Sequence, residues 1–169
     1  MINRILIGAI GPGDSATPLD LELAYQLGQL IAQAGWVLLT GGRNVGVMDA
    51  ASQGAKAANG LTVGILPDAD VSQMSSAIDI AIATDLGSAR NNINVLSSAV
   101  IIACGMGAGT ASEVALALKA KKKVILLNSN NNSQEFFREL APQNVFIVKS
   151  PAEAIALVRE FIATSHPRK

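Results

Sequence analysis

The chain has 169 residues, half of them hydrophobic and 15% charged, which is enough apolar material for one buried core and too much for intrinsic disorder. Thirteen Lys and Arg balance thirteen Asp and Glu, so no long-range field draws the chain to nucleic acid or an anionic membrane, and neither is an expected partner. Aromatics make up 4% and one histidine, His166, stands near the end; this excludes a base-stacking platform or a His-rich centre, and no metal site is predicted.

Seven short runs rich in Ile and Val are predicted strands, at 5–10, 36–40, 61–66, 78–83, 99–103, 124–127 and 145–148. Several are apolar at nearly every position, the pattern of a parallel sheet covered on both faces. Between the first two, Leu23, Leu27, Leu30, Ile31 and Ala34 recur at helical spacing and Gly35 is placed to end the helix. Further helices are predicted over 47–59, stopped by Gly60, and over 89–97, 111–120 and 151–164, the last with Pro151 in its first turn. The patch 128–133 reads as a polar loop whose Ser133 caps a short helix from Gln134.

Strands and helices in alternation, joined by right-handed crossovers, give an α/β fold. It is a doubly wound, mostly parallel sheet of about seven strands with helices on both faces, Rossmann-like, in a single domain over 1–164 with a flexible tail at 165–169. The longest apolar stretches break within about ten residues, short of the ~20 that span a bilayer. The single cysteine, Cys104, has no internal partner and the first residues lack a basic-then-apolar order; a cytoplasmic protein is expected.

Four strand-to-helix junctions carry unusual residues: Gly8 to Asp14, Thr40 to Met48, Asp85 to Asn92 and Gly105 to Thr110. In an open α/β sheet all four lie on one edge, where glycine admits backbone amides close to an anion and each helix start supplies unpaired N–H groups. That suits a phosphorylated small molecule. The first loop is not G-x-G-x-x-G and no acidic residue ends the second strand, which disfavours NAD; there is no G-x-x-x-x-G-K-[ST] either, which disfavours a P-loop. Arg43 and Arg90 are the cations of these loops, and Glu113 lies one turn into the helix after Gly109 and Thr110. Cys104 reads as a buried small hydrophobe, the lysines at 119 and 121–123 as helix-end charges, and Met48 and Met106 as packing residues able to touch a planar ligand.

The stretches Thr40-Gly41-Gly42-Arg43-Asn44-Val45-Gly46-Val47-Met48 and Gly105-Met106-Gly107-Ala108-Gly109-Thr110-Ala111-Ser112-Glu113, with Arg90 fifteen positions before Gly105, resemble the Lonely Guy superfamily, long labelled possible lysine decarboxylases. Gly105 stands where that family has proline, Met106 where it has its second glycine, and Asn91 where its phosphoribohydrolases have lysine. Ala89-Arg90-Asn91, Gly46 to Ala51 and Val63 to Pro67 look more like the short branch that includes the molybdenum cofactor carrier proteins. The resemblance implies binding of a phosphorylated pterin, the molybdenum cofactor or molybdopterin, in a carrier or storage role by a homo-oligomer, dimer or tetramer. Its alternative is a phosphoribohydrolase that releases the base from a nucleoside 5′-monophosphate, with Arg90 and Glu113 catalytic. Lysine decarboxylation is not implied, nor is PLP. The expected ligand-binding residues are Gly11, Gly13, Gly41, Gly42, Arg43, Gly46, Met48, Arg90, Gly105, Gly107, Ala108, Gly109, Thr110 and Glu113.

Overall fold

A computed structural model describes residues 4–165. Seven strands form one all-parallel sheet: β1 (Leu6–Ile10), β2 (Val37–Thr40), β3 (Thr62–Leu66), β4 (Ile80–Ala83), β5 (Val100–Cys104), β6 (Val124–Leu127) and β7 (Val145–Val148), in the order β4-β3-β2-β1-β5-β6-β7. β2, β3, β5 and β6 are buried along their whole length, which is why their sequences lack polar alternation. The helices are α1 (Pro18–Gln33), α2 (Gly46–Ala57), α3 (Asn91–Ser97), α4 (Ala108–Lys119), α5 (Asn131–Leu140) and α6 (Pro151–Ser165). α1, α2 and α6 cover one face around Leu27, Ile31, Ala51 and Val158. α3, α4 and α5 cover the other, with Val95, Val114, Ala117 and Phe137 against β5, β6 and β7.

The chain winds leftward from β1 to β4, then crosses to β5 on the other side of β1. Strand order therefore reverses between β1 and β5, and the loops after these two strands must part there. α1 and α2 are drawn together by small residues: a Cβ at Gly28 would run into the Ala51 carbonyl, and one at Gly54 into that of Tyr25. This fixes the start of α2 close behind the first loop, where the Val47 N–H donates to the Pro12 carbonyl at 3.0 Å.

Three local expectations are corrected. The short helix after β6 starts at Asn131, and Asn130 caps it by accepting from the Ser133 N–H at 2.9 Å; Ser133 lies inside the helix because the earlier Asx turn satisfies its amide first. α2 is closed by Asn59, whose φ is 57°, while Gly60 packs on Ala32 of α1. The segment 89–97 is a 3-10 turn at Gly87–Arg90 followed by α3. The tail at 165–169 lies outside the described residues from residue 166 onward.

Candidate functional site

The loops that follow β1, β2 and β5, with Pro67 after β3 and the turn after β4, surround one cleft of about 380 Å³ at the carboxyl edge of the sheet. Its lining holds Gly11, Gly13, Gly41, Arg43, Met48, Arg90, Gly109, Thr110 and Glu113 of the sequence-derived set. Residues near 42 and 108, far apart in the chain, thus meet at one rim.

The other five lie outside the lining. Gly42 has φ 75° and lies against Gly64 of β3; its N–H donates to the Thr40 hydroxyl at 3.0 Å and its carbonyl accepts from Ser75 at 2.9 Å, so it has no amide to offer a ligand. Gly46, φ 59°, opens α2 beneath the carbonyls of Pro12 and Gly13. Gly105, φ 74°, gives its N–H to Leu127, and any side chain there would strike the Asp20 carboxylate. Gly107 caps α4 in an extended conformation and accepts from the Ala111 N–H at 2.8 Å. Ala108 begins the helix at the surface.

Arg90 is the central cation of the cleft. Its residue is buried, 8% exposed, because the 3-10 turn ends under the β2 loop and Gly41 leaves room for the guanidinium. Nη1 donates to Asn91 Oδ1 at 3.0 Å and lies 3.8 Å from Glu113 Oε1; Nη2 approaches the Met48 thioether at 4.0 Å. Nε is buried without any partner. Burial pushes the Arg90 pKa down; Glu113 and Asp68 oppose that shift, and Arg43 adds to it. Asn91 in turn donates to Ser112 at 3.3 Å, and Ser112 donates to the Gly109 carbonyl at 2.7 Å. This relay ties Arg90 to the first turn of α4.

Glu113 sits on α4 facing the sheet, and its Oε1 accepts from Asn94 at 3.1 Å. Burial raises its pKa, against the Asn94 hydrogen bond and the Arg90 charge. Thr110, 2% exposed, presents a hydroxyl with no partner. The first turn of α4 also carries unpaired amides and the positive end of the helix dipole. Two orphaned polar atoms, Arg90 Nε and Thr110 Oγ1, therefore flank a helix start at the wall of a cleft. A buried polar atom left unpaired costs about 1–3 kcal/mol.

Cys104 is buried with its thiol pushed up to about 12, chiefly by burial; it donates to the Asp20 carbonyl at 3.3 Å and is no nucleophile. Sequence reasoning placed Ile10, Asp14, Gly87, Ser88 and Asn91 in loops at this edge without naming them as ligand-binding residues, and it missed Pro67 in the lining. It also missed Asp20, which closes a capping box with Thr17 and accepts from Asn128 at 2.8 Å, bracing the β5 and β6 loops. Thr17-Pro18-Leu19-Asp20 carries the [ST]-x-x-[DE] spacing that signals such a cap.

An all-parallel sheet with a cleft at its switch point, walled in part by the start of α4, defines a Rossmann-like α/β protein. Residues 4–155 match the SLOG cluster4 family, and the chain belongs to it. The structure of the molybdenum cofactor binding protein from Rippkaea orientalis is 62% identical, with a TM-score of 0.94 over 96% of this chain and 99% of that one. The molybdenum cofactor carrier protein from Chlamydomonas reinhardtii is 49% identical, with a TM-score of 0.91 over 95% and 99%. A cytokinin riboside 5′-monophosphate phosphoribohydrolase of Mycobacterium tuberculosis is 47% identical over 47 residues, 28% of this chain and 25% of that one.

Proposed function

We propose that this protein binds the molybdenum cofactor as a reversible carrier or store, acting as one binding unit over residues 1–164. The observation that carries the reading is the pair of buried, unpartnered donors, Arg90 Nε and Thr110 Oγ1, beside the start of α4. Kinship with proteins that bind this cofactor over almost their entire length supports it. The terminal phosphate is held by the amides of Gly109 and Thr110, the Thr110 hydroxyl and Arg90, with Arg43 offsetting the remaining charge. Ile10, Met48 and Pro67 give the pterin apolar walls. A carrier breaks no bond, so it needs neither a free base nor a nucleophile in the cleft.

A phosphoribohydrolase is the second reading, favoured by one feature: Arg90 and Glu113 face each other inside the cleft. In that role Glu113 stabilises the oxocarbenium-like centre and helps activate water.

The exposed Ile80 and Ile82 of β4 and Leu96 of α3 support self-association as a dimer or tetramer through the face carrying α3. No helix among the described residues is long and apolar enough to cross a membrane, and a cytoplasmic carrier is the location that fits the reading. The test is direct. Purified protein is mixed with molybdenum cofactor and passed through a desalting column, and in parallel incubated with AMP and an N6-substituted analogue. Co-elution of cofactor without free base supports the carrier; base release without co-elution overturns it.

A further inference from the structure

If the phosphate is gripped at α4, the rest of the ligand must be recognised by what remains of the lining. Most acceptors there are already committed. Glu113 Oε1 faces Asn94 and Arg90, and Asn91 Oδ1 is held by Arg90. Asp14 is different: its residue is exposed, lines the cleft and makes no hydrogen bond or ion pair among the described residues. A free carboxylate in the same lining as Arg43 and Arg90 has a use other than holding an anion.

The β1 loop carries Asp14 from one helix start to another. At Pro12 the loop borders Gly107, where a Cβ would lie 3.6 Å from the proline ring; at Gly13 it borders Val45 and Met48, 3.5 and 3.8 Å from such an atom. Asp14 follows in the same loop and lines the cleft together with Ile10, Met48 and Pro67.

We propose that Asp14 reads the heterocycle of the ligand: its two carboxylate oxygens accept from two adjacent N–H donors of a 2-amino-4-oxopyrimidine edge, the edge shared by pterins and guanine. The inference rests on the reading that the cleft holds a phosphorylated ligand. Such an edge offers a ring N–H beside an exocyclic NH2, a pair that matches a carboxylate bidentately. An adenine edge offers a ring-nitrogen lone pair beside an NH2, and the lone pair repels the carboxylate. A site built this way rejects the wrong edge because a polar group is left unpaired. Asparagine matches the opposite pattern, since its oxygen accepts and its nitrogen donates, as in its bidentate contact with adenine.

The test compares GMP, AMP and inorganic phosphate by isothermal titration on the full chain and on Asp14→Asn. The wild-type protein is expected to favour GMP over AMP by about tenfold or more. In Asp14→Asn the preference falls to about one or inverts, while inorganic phosphate binds as before, a pattern that general damage to the fold does not produce. Retention of molybdenum cofactor on a desalting column should fall about tenfold in the same variant. Equal wild-type binding of GMP and AMP, absence of GMP binding, or an unchanged preference in Asp14→Asn each overturns the assignment. Cofactor retained equally by both proteins removes Asp14 alone and leaves the carrier reading standing. A GMP preference lost in the variant, without cofactor retention by the wild type, removes the carrier reading and leaves Asp14.

Discussion

Replacing Glu113 by glutamine separates the two functions and exposes the electrostatics of the cleft. Gln keeps the shape and the hydrogen bond from Asn94 but removes the charge 3.8 Å from Arg90. At that distance an effective dielectric constant of about 20 gives an attraction of about 4 kcal/mol. Desolvation of the buried carboxylate outweighs that attraction, as the raised Glu113 pKa shows, so the Gln variant is expected to melt at the same temperature or higher at pH above the folded Glu113 value. A bound phosphate then supplies the missing counter-charge, so the ligand should raise the melting temperature more in Glu113→Gln than in the wild type. Its affinity should be unchanged or tighter, because one like charge has left the site. The pH profile adds a sign. Burial raises the Glu113 pKa, so its contribution is complete below the ordinary glutamate value and is lost as pH rises through the folded one. Glu113→Gln should lack that slope. Differential scanning fluorimetry with and without ligand, at a series of pH values, measures all of this. A folded Gln variant that binds ligand more than tenfold more weakly, or that loses a base-releasing activity present in the wild type, refutes the reasoning.

Arg90→Ala should weaken phosphorylated ligands by about tenfold or more and Thr110→Val by less, since a charged hydrogen bond contributes about twice a neutral one; equilibrium binding ranks them, and equal losses would count against the assignment. Asn91→Ala should weaken binding only when Arg90 is present, because Asn91 acts through the guanidinium it holds; a double-mutant cycle giving additive losses would break the proposed relay. Gly28→Ala should destabilise the fold by about 1–3 kcal/mol through collision with the Ala51 carbonyl, which urea unfolding measures, and a neutral result would show that α1 and α2 separate freely. Cys104 should resist Ellman's reagent at pH 8 until the protein unfolds, given its burial and raised pKa; rapid labelling of folded protein would disprove the assignment.

The strands were legible because a sheet buried on both faces leaves unbroken Ile and Val runs, and the sheet-edge location of the site followed from βα alternation alone. What stayed hidden depends on where a glycine's freedom is used. Gly41 and Gly42 are adjacent in sequence, yet Gly41 clears space for Arg90 while Gly42 turns its amide inward to Thr40. Composition does not tell these apart; hydrogen-bond partners do. Asp14 and Ser88 fell within loops assigned to this edge but were not singled out, and Pro67 was overlooked, because they line the cleft through its shape, which no short spacing encodes. At α5 the Asn130 side chain reaches the Ser133 amide and so takes the capping position, while at the end of α2 Asn59, with φ 57°, turns the chain one residue before Gly60.

Gly11 lies at the base of the cleft, where any side chain would press on the Cys104 carbonyl and the Val47 side chain, both part of the hydrophobic interior. The floor of the site and the centre of the molecule are therefore the same atoms, and no substitution can retune one without unsettling the other. The margin is under no such constraint: Asp14 and Ser88 are exposed and Arg43 is half-buried. Substitutions at that margin can alter what the cleft accepts while leaving the interior undisturbed.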